Sequence, residues 1–242
     1  LALLLIIATA LHGTLAADRP AASKLTEFYL WMAAGGVVGG LFPALIAPQV
    51  FDWVYEHPIL LLLAALLVPA KPITRGIGAL WTDYGLFSRA LRVLVAPVML
   101  IFGWVLGAAF EAVDTPTLQV VALGLMCGLS ALAVGRQLMF TWCLAMLMLG
   151  LGGWQQIDIS SIEKARQRSF FGVYTIQNSQ SQQTRKLLHG TTLHGAQSLV
   201  PEKSRMPLTY YAPESGVGLA MQTAPSLFGP KARIGVVGLG TG

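Results

Sequence analysis

Residues 117–153 read TLQVVALGLMCGLSALAVGRQLMFTWCLAMLMLGLGG, and Arg136 is the single charged residue among them. It divides the stretch into two apolar runs, each close to the about 20 residues that a helix needs to cross the hydrocarbon core of a bilayer. Two such runs joined by a short charged turn are typical of a helical membrane protein. The same alternation of long apolar runs and short charged loops begins at residue 1.

Composition supports a membrane protein. Apolar residues make up 55% of the 242 residues and charged residues 11%, about half the charge of an ordinary soluble domain. Before residue 154 the charges fall almost entirely between apolar runs, at Asp18, Arg19, Lys24, Glu27, Asp52, Glu56, Lys71, Arg75, Asp83, Arg89, Arg92, Glu111, Asp114 and Arg136. The net charge is +5, but the basic residues are not interleaved with aromatic ones and form no nucleic-acid motif, so we expect no nucleic-acid partner. Cys127 and Cys143 lie in apolar runs, which favours buried, unpaired thiols over a disulfide or a metal site.

The apolar runs predict a transmembrane helical domain over residues 1–153 with five to six spans. The spans lie near 1–16, 28–50, 93–112, 117–135 and 137–153, with a doubtful one at 58–70 that is short for a full crossing. No basic segment precedes the apolar run at 1–16, so we expect a truncated first span rather than a signal peptide. Small residues on one face of the second span, at Gly35, Gly36, Gly39 and Gly40, predict close packing within a bundle.

The loop charges conflict with a count of six spans. If all six segments cross, the basic loops share one side of the membrane and the positive-inside rule places that side in the cytoplasm. The residues after 153 then lie on the opposite side. A domain with nucleotide-type substrates belongs in the cytoplasm, so either 58–70 does not cross or another span is miscounted.

After the last span the chain becomes polar. Residues 154–168 are predicted to form a polar connector at the membrane surface. Residues 169–230 contain short alternating runs at 169–177, 184–189 and 191–197, which predict a small antiparallel sheet, and a short helix at 216–223. Residues 233–237 are predicted to form a buried strand, which leads into Gly238, Gly240 and Gly242 at alternate positions.

The glycine-rich turn at 238–242 predicts a nucleotide site. Glycines after a strand let the backbone approach a nucleotide, and a helix normally follows with its N-terminal amides at the ligand. We therefore expect residues 231–242 to open a truncated Rossmann-like domain of the methyltransferase type. The fold class is a polytopic α-helical membrane domain, then a β-rich lead-in, then the first strand of this α/β domain. The turn alone does not separate nicotinamide, flavin and adenosyl ligands.

Several motifs carry a family resemblance. They are FYLW at 28–31, the glycine-rich span through Leu45-x-Ala47-Pro48, RSFFGV at 168–173, LHGTTLHGAQ at 188–197, PLTYY at 207–211, SGVG at 215–218 and GVVGLGTG at 235–242. In this order they resemble the membrane-fused spermidine synthase-like proteins, whose soluble half belongs to the polyamine aminopropyltransferase family. The resemblance covers most of the chain.

The resemblance implies transfer of an aminopropyl group from decarboxylated S-adenosylmethionine, a co-substrate that is not tightly bound, to a polyamine acceptor. Gln197 and Tyr211 match residues that help hold these substrates, and Gly238, Gly240 and Gly242 match the nucleotide-binding turn. No metal is implied. The family's catalytic carboxylates are expected beyond residue 242, so the chain alone should be inactive. His189 and His194 are interpreted either as catalytic residues or as turn-capping residues.

The expected setting is a bacterial inner membrane with the soluble domain in the cytoplasm. The expected partners are the lipid bilayer and the small polyamine and adenosyl substrates, and homo-oligomerisation is left open. Two other functions also stay open. One is a methyltransferase, because the glycine turn suits S-adenosylmethionine equally well. The other is a non-catalytic transporter or sensor, for which ionisable residues deep within a span would be the supporting sign.

Overall fold

Helices form the first two thirds of the chain, and a small sheet follows them. The computed structural model describes residues 2–68, 71–111, 116–179 and 182–238. The chain divides into two compact units, Leu1–Ile162 and Glu163–Gly242. We call the first the membrane unit and the second the C-terminal unit.

The described helices of the membrane unit are α1 (Ala2–Ala17), α2 (Leu25–Leu41), α3 (Ala47–Val50), α4 (Glu56–Leu67), α5 (Arg75–Thr82), α6 (Leu86–Glu111), α7 (Pro116–Ala133), α8 (Gln137–Met148) and α9 (Trp154–Ser161). A π-helical turn at Phe42–Ile46 joins α2 to α3, and another at Leu149–Gly153 joins α8 to α9. Gly152 takes a φ of 107° in the second turn, a conformation that suits glycine.

Four continuous helical segments are long and apolar enough to cross a bilayer: Ala22–Val50, Leu86–Ala109, Pro116–Ala133 and Gln137–Ser161. They coincide with the segments predicted near 28–50, 93–112, 117–135 and 137–153, and the last extends to Ser161. The other two predicted spans form the shorter apolar helices α1 and α4. A count of five or six crossings therefore stays a prediction.

The exposed faces of these segments are apolar as well. Only 6% to 28% of each span is buried within the protein. Large apolar side chains such as Trp31, Val93 and Val120 are each 70% exposed. A helix that is apolar on all sides suits a lipid environment, and this distribution of exposed side chains is compatible with a membrane protein.

The core of the membrane unit lies between α6, α7 and α8. Met99, Leu106, Met126 and Cys143 are fully buried there. Trp81 of α5 covers one end of the core, and its indole Nε1 donates a hydrogen bond to the carbonyl oxygen of Leu132 at 2.7 Å. A buried tryptophan needs such a partner for its N–H group, and this bond fixes α5 against α7.

Two glycines of α6 allow a close helix crossing. A Cβ atom at Gly103 would lie 2.9 Å from the carbonyl oxygen of Met146, and one at Gly107 would lie 2.9 Å from Trp154 Cδ1. Gly150 faces Gly103 in the same crossing. By contrast, Cβ atoms at Gly35, Gly36, Gly39 and Gly40 would meet nothing within 4 Å among the described residues. The close packing predicted at the glycines of α2 is therefore found at α6.

Side-chain bonds show that α4 and the α8–α9 segment run antiparallel from end to end. The Tyr55 hydroxyl donates to the carbonyl oxygen of Gln156 at 3.1 Å and lies 3.0 Å from the Ser160 hydroxyl. At the other end, Gln137 Nε2 donates to the carbonyl oxygen of Val68 at 3.3 Å. The end of α9 therefore lies at the end of the bundle that holds Asp52 and Glu56, opposite the end that holds Lys71, Arg75 and Arg136.

The C-terminal unit contains one antiparallel sheet, in the order β1 (Arg166–Ser169), β2 (Gly172–Ser179), β3 (Thr184–His189) and β4 (Thr192–Ser198). Helix α10 follows at Gly216–Phe228, which confirms the predicted short helix. The sheet was predicted with three strands, and the fourth, β1, lies within the predicted polar connector. Its sequence, RQRS, lacks apolar alternation, and its pairing with Gly172–Thr175 is a consequence of the tight β1–β2 turn.

The strand predicted at 233–237 is not formed in the structure. These residues form no regular element, and Val237 is fully exposed. A buried strand requires hydrogen-bonded neighbours on its edges, and within the described part of the chain no strand pairs with this segment. The Rossmann-like fold is therefore not seen in the described residues.

Candidate nucleotide site in the C-terminal unit

Tight turns set the shape of the sheet from which the candidate site is built. Gly172 has a φ of 141° in the β1–β2 turn, and Gly190 has a φ of 59° in the β3–β4 turn. Both values lie in the region that favours glycine. The His189 ring occupies the space that a Cβ atom at Gly172 would need, so both the conformation and the space exclude a larger residue there.

His189 has a structural position in this sheet. Its Nε2 atom lies 3.1 Å from the carbonyl oxygen of Phe171, and its ring stacks on Tyr174 with centroids 4.4 Å apart. The ring of His194 is tilted against it at 5.6 Å. Of the two interpretations open for His189, these contacts favour the turn-capping residue over the catalytic one.

Gln197 lies near the end of β4 and is exposed. Its Nε2 atom donates a hydrogen bond to the carbonyl oxygen of Ser204 at 3.4 Å. This bond ties the short 3-10 helical turn at Pro201–Lys203 back to the sheet. The predicted ligand-binding side chain is therefore accessible, and it also positions the loop that follows the sheet.

Tyr211 and Gly238 are the two predicted site residues that the structure brings together. The Tyr211 hydroxyl donates to the carbonyl oxygen of Gly238 at 3.4 Å. Gly238 has a φ of 78°, the left-handed conformation expected of a glycine in a nucleotide-binding turn. The bond thus links the tyrosine segment to Gly238, where the predicted glycine turn begins. Gly240 and Gly242 lie outside the described residues.

A strained residue supports the tyrosine segment. Thr209 has a φ of 56°, which is rare for a β-branched residue, and it begins the 3-10 helical turn Thr209–Tyr211. The neighbouring Tyr210 hydroxyl donates to the carbonyl oxygen of Leu193 at 2.9 Å and anchors this turn to β4. Such strain is concentrated at functional sites, where the surrounding structure maintains it. Sequence gave no sign of it, because PLTYY contains neither a glycine nor an asparagine.

The SGVG motif forms the start of α10. The Ser215 hydroxyl accepts a hydrogen bond from the amide of Gly218 at 3.0 Å, as an N-cap residue does. A Cβ atom at Gly218 would collide with the carbonyl oxygen of Ala212 and would lie 2.7 Å from that of Pro213. Gln222 Nε2 donates to the same Pro213 oxygen at 3.0 Å. The motif therefore holds the 212–213 loop against the first turns of α10.

Charged groups around the site are mostly basic. Residues 163–242 contain nine Lys or Arg residues and three acidic side chains. The three carboxylates, which belong to Glu163, Glu202 and Glu214, are exposed. Among the described residues no group of three or more His, Cys, Asp or Glu side chains is arranged to hold a metal ion. The chemistry that this arrangement offers is hydrogen bonding from the Gln197 amide and the Tyr211 hydroxyl.

Comparison of the chain with protein-family models, with curated proteins and with solved structures gives no match.

Proposed function

We propose that the chain belongs to a membrane-bound aminopropyltransferase-like protein of the spermidine synthase type. The observation that carries the proposal is the contact between Tyr211 and Gly238, because it links the tyrosine segment to the predicted nucleotide turn. The exposed amide of Gln197 on the preceding sheet adds a second hydrogen-bonding group. The family motifs LHGTTLHGAQ, PLTYY and SGVG supply the further support.

In the proposed reaction an amine attacks the aminopropyl carbon bonded to the sulfonium of decarboxylated S-adenosylmethionine. A carbon–nitrogen bond forms, the carbon–sulfur bond breaks, methylthioadenosine leaves, and the amine loses a proton. The sulfonium is already a good leaving group, so holding the two substrates in line contributes much of the rate. In this proposal Gln197, Tyr211 and the glycine turn bind and orient the adenosyl co-substrate, and residues 231–242 open a Rossmann-like domain.

The proposed setting is a bacterial inner membrane with the C-terminal unit in the cytoplasm, where the adenosyl co-substrate is made. With the end of α9 on the cytoplasmic side, the antiparallel course of α4 and α8–α9 places Lys71, Arg75 and Arg136 on the other side of the membrane, against the positive-inside rule. The proposed chemistry therefore requires the C-terminal unit to lie in the cytoplasm, even though the loop charges favour the other side.

A transfer assay tests the proposal. The full-length gene product, in detergent, is incubated with decarboxylated S-adenosylmethionine and putrescine, and release of methylthioadenosine is followed by chromatography. Release that depends on both substrates supports aminopropyl transfer. Conversion of S-adenosylmethionine to S-adenosylhomocysteine would replace the proposal with methyl transfer, and the absence of either product would overturn the enzymatic function.

A further inference from the structure

A cavity of about 530 Å³ lies at the basic end of the membrane unit. Its lining includes Trp81 at the end of α5, Arg92 of α6, and Arg136 with the first turn of α8. Gly135, in the turn before Arg136, has a φ of 93° and lies directly against Pro72. The loop carrying Lys71 is thereby held beside the cavity, so the surroundings are basic as well.

Two guanidinium groups line this cavity. Arg92 is half-buried, and its Nη1 atom donates to the carbonyl oxygens of Trp81 at 2.8 Å and Asp83 at 3.0 Å. These bonds fix the Arg92 side chain at the cavity wall. No carboxylate is found among the described residues that line it. The nearby Asp83 carboxylate accepts a hydrogen bond from the Tyr84 amide at 3.1 Å. Two like charges around one space are stabilised by an anion between them.

The first turn of α8 adds backbone donors to these charges. Residues 137–139 line the cavity, and the first amides of a helix have no carbonyl partner within it. The N-cap residue is Arg136, whose side chain makes no capping hydrogen bond. Amide donors at a helix start, together with arginines, form the usual protein environment of a phosphate group.

We propose that this cavity binds a phosphate group, carried either by an anionic phospholipid headgroup or by free phosphate. The two arginines supply the charge, and the α8 amides supply directed hydrogen bonds. Basic pockets between membrane helices are suited to lipid headgroups, and 530 Å³ accommodates a phosphate with its glycerol. The site is independent of the proposed adenosyl chemistry, because it lies entirely within the membrane unit.

Thermal unfolding of the full chain in detergent tests the site, followed by tryptophan fluorescence. The probes are dioctanoyl phosphatidylglycerol, dioctanoyl phosphatidylcholine and inorganic phosphate at constant ionic strength. The variants are Arg136→Gln and Arg92→Lys, and the matched control is Arg89→Gln, an exposed arginine near the same end of α6 that does not line the cavity. We expect an anionic probe to raise the Tm of wild type and of Arg89→Gln. In Arg136→Gln the affinity for that probe should fall about tenfold, which corresponds to losing one charged hydrogen-bonding partner.

The pattern across the probes identifies the source of the phosphate. Stabilisation by phosphatidylglycerol but not by inorganic phosphate indicates a lipid headgroup, and stabilisation by both indicates a site open to free phosphate. Equal stabilisation by phosphatidylcholine and phosphatidylglycerol would overturn the proposal of an anionic headgroup, because the choline cation next to the phosphate of phosphatidylcholine should be repelled by the two arginines. It would also be overturned if no probe raised the Tm, or if Arg136→Gln responded as Arg89→Gln does.

Discussion

Gly216 and Gly218 lie two residues apart in the same helix, and the structure gives them different roles. A Cβ atom at Gly216 would meet nothing within 4 Å, whereas one at Gly218 would collide with the backbone of residues 212 and 213. A flexible side chain can move away from an added methyl group, but a loop backbone held by Ser215 and Gln222 cannot do so cheaply.

We predict that Gly218→Ala destabilises the docking of α10 by about 1–3 kcal/mol. Gly216→Ala should be neutral or slightly stabilising, because alanine favours the helix by about 0.5–1 kcal/mol over glycine. Hydrogen exchange of the α10 amides, measured by mass spectrometry on the full chain in detergent, compares the two. Equal exchange in both variants would contradict the packing described for Gly218.

A substitution at Thr209 should increase stability, whereas Gly218→Ala should decrease it. Asparagine tolerates the left-handed region much better than a β-branched residue does, so Thr209→Asn should stabilise the 209–211 turn by roughly 1 kcal/mol. The control is Thr192→Asn in β4, where removing a β-branched residue from a strand should slightly reduce stability. Protection of the 207–212 amides from hydrogen exchange is the measurement. Lower protection in Thr209→Asn than in wild type would show that the threonine conformation is not strained.

At single residues, the sequence predicted which side chains to consider but not the conformations and contacts that they adopt. At SGVG the sequence predicted a helix from residue 216, and the structure adds the N-cap bond of Ser215 and the close approach at Gly218. The left-handed φ of Thr209 was not recognisable, because tertiary contacts such as the Tyr210–Leu193 bond impose it. Gln197 is accessible to solvent and also donates a hydrogen bond to the Ser204 carbonyl oxygen. This bond depends on the conformation of the loop after β4, which the local sequence does not determine.

At the scale of elements, long apolar runs predicted the membrane helices well, because length and hydropathy alone set them. The choice of glycines for the close crossing was not predictable in the same way. Both α2 and α6 carry glycines at four-residue spacing, and only the neighbours supplied by the fold decide which set is used. The strand predicted at 233–237 is not formed for a related reason. An apolar run becomes a strand only beside another strand, and that neighbour is supplied by the fold.

The crossing of α6 with the Met146–Gly150 segment can be tested with a pair of alanine substitutions. Gly103→Ala should reduce stability by about 1–3 kcal/mol, because its methyl group would lie 2.9 Å from the Met146 carbonyl oxygen. Gly124→Ala in α7 is the control, since a Cβ atom there meets nothing within 4 Å. Thermal unfolding in detergent provides the comparison. The crossing would be contradicted if Gly103→Ala unfolded at the same temperature as Gly124→Ala.

For the whole molecule, the bonds at the two ends of α4 and α8–α9 define two faces of the membrane unit. Residues near Arg136 and Lys71 belong to one face, and those near Val54 and Ile162 belong to the other. Single cysteines at these four exposed positions should therefore label in two pairs with a membrane-impermeant thiol reagent applied to intact cells. Cys143 is buried as predicted, whereas Cys127 is exposed on α7, so the prediction of a buried thiol is wrong for Cys127. Both lie in apolar segments that we expect to be within the bilayer, so neither should react with a membrane-impermeant reagent.

Labelling of one pair alone is the expected result. If the pair at Val54 and Ile162 is shielded inside the cell, the chain leaves α9 on the side that the proposed chemistry requires. If that pair is labelled from outside, the positive-inside rule holds and the proposed adenosyl chemistry loses its substrate. Reaction of Arg136→Cys and Ile162→Cys from the same side would contradict the antiparallel arrangement of α4 and α8–α9.

The basic charge of the C-terminal unit affects how its ligand should be measured. With nine basic residues and three carboxylates, this unit favours anions over cationic amines on charge alone. Methylthioadenosine, which is uncharged, reports recognition of the nucleoside without that effect. It is therefore the most informative ligand for the glycine turn, Gln197 and Tyr211.

Calorimetric titration of the full-length gene product in detergent with methylthioadenosine, decarboxylated S-adenosylmethionine and S-adenosylmethionine tests the central claim most directly. We predict binding of the first two in preference to the third. Affinity should weaken about tenfold in Gln197→Ala and remain unchanged in Gln177→Ala, an exposed glutamine of β2. Binding of none of the three, or equal affinity in the two variants, would contradict an adenosyl site built on Gln197, Tyr211 and Gly238.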